Sequence, residues 1–191
     1  MSKGELRQLA LRSRRSVAPE SLAALSSEVQ RLFLELPEFQ RAETVAAYAS
    51  KEDEVETRGI IGAALAGRKR VAVPRVDQGS ATLSFRLIES LIQLSPGSFG
   101  VPEPPAELRS VTLEECDIVA VPVVAWDESG NRLGYGRGYF DKALKSRGRA
   151  FAAGLALEAQ RYPDIPQGPS DVPLDAIVTE RRVVRVEASH R

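Results

Sequence analysis

Histidine is almost absent from this chain: among 191 residues only His190 carries an imidazole, next to the carboxyl end. Chain ends fray, so a residue there is a poor anchor for catalytic geometry. This argues against a Ser-His-Asp or Cys-His nucleophile and, with a single cysteine, against a zinc site of the His/Cys kind. Cys116 stands alone and cannot form an internal disulfide. An excess of one charge is also missing. The 26 basic residues cancel 26 acidic ones, so no overall field recruits nucleic acid or an anionic membrane. No apolar run approaches the ~20 residues that cross a bilayer, and no signal-type segment opens the chain, which makes the cytoplasm the expected compartment. Any catalysis then rests on carboxylates, Lys, Arg, Tyr, backbone N–H groups or a hard cation such as magnesium. These are the means of phosphate chemistry, where positioning and charge neutralisation dominate.

With 43% hydrophobic and 27% charged residues the composition is that of an ordinary soluble globule. A chain of this length buries roughly 70% of its unfolded surface. One domain over 1–191 is expected, with about 187–191 as a disordered tail.

The most informative stretch runs from Val119 to Leu144. Its Val-rich beginning predicts a buried strand, and Asp127-Glu-Ser-Gly130 breaks that run with turn chemistry. Gly134, Gly136 and Gly138 follow, interleaved with Leu133, Tyr135, Arg137 and Tyr139. Tyr139 to Lys145 then reads as a short helix with Asp141 in its first turn. A glycine-rich loop opening a helix lets backbone N–H groups approach an anion, and Arg137 adds a fork suited to phosphate oxygens. It is not a Walker A loop, because Tyr139-Phe140 follows Gly138 where Lys-Ser/Thr is required. Nor is it a dinucleotide fingerprint, which needs glycine where Tyr139 stands. A tight glycine-rich connection without a ligand satisfies the same spacing.

The rest of the chain alternates helices with strands. Lys3 to Arg15 reads as a basic helix with Lys3 and Arg7 on one face, which suits a solvated surface as well as a ligand. A second helix starts at Pro19 and carries an apolar stripe of Leu22, Leu25, Val29, Leu32, Phe33 and Leu36. Strands are expected at 44–49, at 70–74 (ended by Pro74), at 82–88 as an antiparallel edge, at 150–157 and at 175–179. Glu52, Asp53, Glu54 and Glu56 crowd the loop between the first strand and a helix over 57–65. They either serve the helix dipole or place a substrate carboxylate at the strand end, where open α/β sheets bind ligands. Phe99 and Glu103 lie in a Gly/Pro connection too irregular for helix or strand, and Asp171 and Asp175 flank a late turn. The pattern gives an α/β fold with a mostly parallel sheet covered on both faces, a three-layer α/β/α arrangement.

Five segments occur in order: Lys3-Gly-Glu-Leu-Arg7, Asp53-Glu-Val-Glu-Thr57, Gly100-Val-Pro-Glu-Pro104, Asn131-Arg-Leu-Gly-Tyr-Gly-Arg-Gly-Tyr-Phe-Asp141 and Asp171-Val-Pro-Leu-Asp175. Together they resemble 5-formyltetrahydrofolate cyclo-ligase, also called 5,10-methenyltetrahydrofolate synthetase. The resemblance implies a sheet similar to the NagB/RpiA/CoA-transferase-like fold, and a monomer or weak homodimer acting on small molecules. It also implies a reaction in which ATP phosphorylates the formyl oxygen of 5-formyltetrahydrofolate, a neighbouring nitrogen closes the ring and phosphate leaves. Lys3, Arg7 and the run Arg132, Leu133, Gly134, Tyr135, Gly136, Arg137, Gly138, Tyr139, Phe140 would then bind ATP. Arg137 and Tyr139 would be catalytic, Arg137 facing the transferred phosphate. Asp141 and Asp171 would hold Mg2+. Glu54 would bind the folate head, with Ala49, Phe99, Tyr135 and Tyr139 nearby, and Asp175 would be structural. Phe140 departs from a commoner tyrosine, and Val123-Val-Ala-Trp126 replaces a slimmer strand, which either narrows the pocket or repacks the core. The alternatives are a non-catalytic folate- or nucleotide-binding relative and a sugar-phosphate or CoA enzyme on the same fold.

Overall fold

The computed structural model describes residues 1–186, so the expected tail at 187–191, with His190, lies outside the described residues. In chain order the elements begin with α1 (Lys3–Arg15), α2 (Pro19–Leu34), α3 (Pro37–Arg41), β1 (Thr44–Ala47), α4 (Arg58–Ala66), β2 (Arg70–Asp77) and β3 (Thr82–Ile88). Then come β4 (Ser95–Pro96), β5 (Pro102–Glu103), β6 (Ser110–Val111), β7 (Ile118–Pro122), β8 (Ala125–Trp126) and β9 (Arg132–Leu133). The chain continues with α5 (Tyr139–Leu144), β10 (Phe151–Leu155), β11 (Ala176–Val178) and β12 (Val183–Arg185). No helix among the described residues is long and apolar enough to cross a membrane.

The main sheet has eight strands in the order β12-β11-β10-β7-β1-β2-β3-β6. Its five central strands, β11 to β2, are parallel, and the outer β12, β3 and β6 pair antiparallel. Alternation sorts the side chains. Val45, Ala47, Ile118, Ala120, Ala153 and Leu155 face one way, into a core shared with Val29 and Phe33 of α2 and Ile60, Ile61 and Ala64 of α4. Ala46, Val119, Val121, Ala152 and Ile177 face the other way, against Leu113, Trp126, Leu144 and Leu174. The chain moves from β1 to its neighbour β2 through α4, and from β7 in the opposite direction to β10 through α5. Two right-handed crossovers in opposite directions put α4 and α5 on opposite faces. The layer carrying α5 is thin, a six-residue helix supplemented by loops.

Helix α1 belongs to neither layer. Ser2 and Glu5 cap it reciprocally, and Leu6, Ala10 and Leu11 dock on Val124, Ala125, Leu133 and Ile165 beside the small β8–β9 ribbon. Fully burying a leucine stabilises by about 1.5–3 kcal/mol, so Leu6 and Leu11 are its main attachment.

Three expectations need correction. Strand β2 does not end at Pro74 but continues to Asp77. Leu87, opposite Ala72, sends its N–H to Arg109, away from β2. Ala72 and Pro74 therefore direct their nitrogens to the β1 side, where pairing has already stopped at Ala72, and the missing N–H breaks no ladder. Strand β3 is not the edge, because β6 pairs beyond it at Phe85↔Val111. The Gly/Pro connection contains a small ladder, β4–β5. Strand β12 was not foreseen; it is three residues with one buried side chain, too short for a periodic signal. Trp126 is fully buried in the core and donates through Nε1 to Leu157 O at 3.0 Å, so the bulky strand repacks the core and does not narrow the site.

Candidate functional site

The switch in chain direction between β1 and β7 opens a crevice at the carboxyl ends of the parallel strands, the usual ligand position in an open α/β sheet. A cleft of about 710 Å³ lies there, lined by Tyr48 and Ala49 beyond β1, Pro74 and Val76 of β2, Pro122 of β7 and the glycine loop. Every residue singled out from the sequence as a ligand lines this one cleft.

Cations crowd the side of the cleft formed by α1 and the glycine loop. Arg7 donates from Nε to Gly134 O at 2.7 Å, bracing the loop. Gly136 has φ +98, which favours glycine, and a Cβ there would sit 3.2 Å from the Arg7 guanidinium and push it aside by a few tenths of an ångström. The Arg137 guanidinium is exposed and rests over the Phe99 ring at 4.2 Å, while Phe99 and Tyr139 approach to 6.4 Å between centroids. Phe99 itself has φ +58 and is half exposed at 49%. Its turn is held by buried Glu103, which accepts from Val76 N at 3.3 Å and Ser98 N at 3.1 Å. A Cβ on Gly97 would come within 2.5 Å of the Glu103 side chain.

Two carboxylates stand beside the loop. Asp141 accepts on Oδ1 from Arg132 Nη2 at 2.9 Å and from Val172 N at 3.2 Å. Asp171 accepts on Oδ2 from the Lys3 ammonium and from Gly168 N. Burial opposes ionisation of Asp171, but Lys3 and the Gly168 N–H outweigh it and hold its pKa below the ordinary value. Burial lowers the pKa of Arg132, and Asp141 opposes that effect. Among the described residues no cluster of three His, Cys, Asp or Glu side chains is able to cage a metal. Two carboxylates, each bonded through a single oxygen, instead fit magnesium, which commonly takes one or two carboxylates and completes its shell with phosphate and water.

Two residues contribute differently from expectation. Arg132 is buried, with Nη1 on Val172 O at 2.6 Å and Nη2 on Asp141, so its guanidinium supports the carboxylate side. Leu133 packs its side chain against α1 and pairs its carbonyl with Val124 N, leaving only backbone to the cleft. Asp175 lies away from the cleft lining, bidentate on buried Arg147 and bonded to Ala152 N at 2.8 Å.

At the other end sits Glu54, 6% exposed. Its Oε1 accepts from the Tyr135 hydroxyl at 2.6 Å and its Oε2 from Lys51 N at 2.8 Å. The four loop carboxylates therefore separate: Glu54 enters the cleft, Asp53 pairs with Arg14 and Arg15, Glu56 stays on Arg58, and Glu52 is exposed. The first turn of α4 holds no acidic residue, and of the four only Glu56, directly before the N-cap Thr57, is placed to favour the helix dipole. Sequence reasoning missed Arg14, Lys51, Lys142 and Lys145. Lys51, Lys142 and Lys145 line the cleft, and Arg14 touches the cleft residue Tyr135. The signal for Arg14 was its offset from Lys3 and Arg7: at 3.6 residues per turn the three lie within about 40° of one another on α1.

The sequence matches the 5-formyltetrahydrofolate cyclo-ligase family over residues 1–180. A probable 5-formyltetrahydrofolate cyclo-ligase of Schizosaccharomyces pombe is 30% identical, covering 97% of this chain and 98% of the relative. The 5-formyltetrahydrofolate cyclo-ligase of Escherichia coli K12 is 30% identical over 89% of this chain and 96% of its own. The NMR structure of Aquifex aeolicus 5,10-methenyltetrahydrofolate synthetase superimposes with a TM-score of 0.87 at 34% identity, covering 100% of this chain and 96% of that one. With a family match across nearly its whole length and a shared fold, the chain belongs to the 5-formyltetrahydrofolate cyclo-ligase family.

Proposed function

We propose that the cleft binds ATP along the glycine loop and 5-formyltetrahydrofolate against Glu54, with the formyl group between them. The family is one of ATP-dependent ligases, and its activity is cyclo-ligation of this folate. The observation that carries the residue roles is the joining, in one cleft, of a cation-rich glycine loop with a buried carboxylate and aromatic walls.

Arg7 steadies the loop through Gly134 O, and its terminal nitrogens remain for phosphate oxygens. Lys3 moves its ammonium from Asp171 to the polyphosphate. Asp141 and Asp171 would hold magnesium, which would supply charge neutralisation of the polyphosphate. Arg132 keeps Asp141 oriented and sets no phosphate itself. Arg137 leaves the Phe99 ring and places its fork on the transferring phosphoryl group, where charge builds up in the transition state. Phe99 and Tyr139 flank the pterin, and Glu54 accepts hydrogen bonds from its N–H groups, which fixes the formyl oxygen in line with the γ-phosphate. The formyl oxygen attacks phosphorus and ADP leaves. The second nitrogen then attacks the formyl carbon, its proton is released, and the C–O bond breaks with inorganic phosphate departing. No side-chain nucleophile is needed.

The test follows the methenyl chromophore in the near ultraviolet with 5-formyltetrahydrofolate and ATP. The signal is expected only with a divalent cation present, and turnover without one would overturn the metal assignment. Arg137→Ala is expected to lose about 100-fold or more in kcat. Its exposed side chain should leave the melting temperature unaltered. Wild-type turnover by that variant would remove Arg137 from the phosphoryl site.

A further inference from the structure

Helix α1 carries a third cation on its cleft face, and neither the phosphates nor the metal accounts for it. Arg14 is 4% exposed, whereas its neighbours Arg12 and Arg15 are exposed. Its Nη2 donates to Asp53 Oδ2 at 2.8 Å and to the Tyr135 hydroxyl at 2.7 Å. Because that hydroxyl accepts from Arg14, its own proton is directed to Glu54 Oε1, 2.6 Å away. Lys51 adds a second cation, 4.6 Å above the Tyr135 ring, while its backbone N–H holds Glu54 Oε2. Tyr135 projects from a loop between two glycines and is 37% exposed. A phenol on such a loop holds no fixed position unless something fastens its tip.

We propose that Arg14 is a positioning residue for the folate: it fastens the Tyr135 hydroxyl, and through it orients the Glu54 carboxylate that receives the pterin. The relay also ties the phosphate loop to the folate anchor, since Tyr135 lies between Gly134 and Gly136. Asp53 serves by holding the same Arg14 nitrogen from the other side. The inference rests on Glu54 as the folate anchor, and its test separates the two ideas.

Three single variants, Tyr135→Phe, Arg14→Lys and Glu54→Gln, and the double variant of Arg14→Lys with Tyr135→Phe are assayed for KM of each substrate. Tyr135→Phe keeps the ring and its cation contacts and removes only the bridging hydroxyl. It is expected to raise the folate KM about tenfold, the factor a hydrogen bond to a charged group carries. The ATP KM should not move, a split that a merely structural role does not produce. Arg14→Lys should raise the folate KM similarly in the wild-type background and by less than about twofold once Tyr135 is Phe, because the two act in series. If Glu54→Gln raises the folate KM while Tyr135→Phe does not, the relay is refuted and the anchor stands. Independent, multiplying effects of Arg14→Lys and Tyr135→Phe likewise refute the relay. An unchanged folate KM in all three variants removes Glu54 as anchor and the relay with it. Should Arg14→Lys fail to fold, Tyr135→Phe against Glu54→Gln still decides.

Discussion

Replacing Asp141 by alanine is expected to damage the fold as well as the chemistry, and the two effects separate by measurement. The Arg132 side chain is 3% exposed and that of Asp141 is 24% exposed, so the variant strands a buried guanidinium. Removing one partner of a buried pair costs about 3–5 kcal/mol. The lower end applies, because Asp141 touches solvent and Arg132 keeps its bond to Val172 O. A loss of about 3 kcal/mol in a domain of this size lowers the melting temperature by about 6–12 °C, at roughly 2–4 °C per kcal/mol. Asp141→Asn retains an oxygen for both Arg132 and Val172 N and loses only the charge, so its shift should be less than half as large. Turnover should nevertheless collapse in both variants, with the asparagine form partly recovering at high magnesium. The assay pairs a thermal melt followed by circular dichroism with chromophore formation across a magnesium series. An alanine variant melting within about 2 °C of wild type would refute the dependence of Arg132 on Asp141. Full turnover of the asparagine variant at low magnesium would take Asp141 away from the metal.

Two further outcomes follow from the cleft. Asp171 has a depressed pKa in the fold, so its contribution is complete above its unfolded pKa, about 3.9, and is lost as pH falls through the lower folded value. Urea unfolding at pH 7 and pH 3 should show a smaller acid-induced loss in Asp171→Asn than in wild type, and equal losses would contradict the latch to Lys3. Gly136→Ala forces φ +98 on a residue with a Cβ and presses on Arg7, so it is expected to raise the ATP KM about tenfold while the folate KM stays within twofold. A folate-selective defect would show that the loop has been given to the wrong substrate.

Much of this molecule could be read from residue order. The Val-rich strand, the turn at Asp127 and the helix from Tyr139 announced themselves through local chemistry, and the structure follows them closely. The acidic loop did not resolve itself, because four carboxylates in five positions look alike until a fold decides which of them meets Arg14, Tyr135 or solvent. Pro74 misled because the rule against proline applies to a strand paired on both sides, and β1 stops short of it. Arg14 hid among Arg12 and Arg15, in the last turn of a helix where basic residues are common for dipole reasons alone. Its importance comes from the partner across the cleft, which lies 121 residues away.

That separation bears on how the protein comes together. The bonds that fasten α1 to the cleft join Lys3 to Asp171, Arg7 to Gly134 and Arg14 to Tyr135, spanning 168, 127 and 121 residues. No ladder of the main sheet includes α1. Closing loops of that length is slow, and the sheet gains nothing by waiting for it. During refolding the strands should therefore register in spectroscopic signals before the first helix swings in, and catalytic competence should return as the last and slowest phase. The chain's opening thirteen-residue helix would act as a key, turned only after the lock is built.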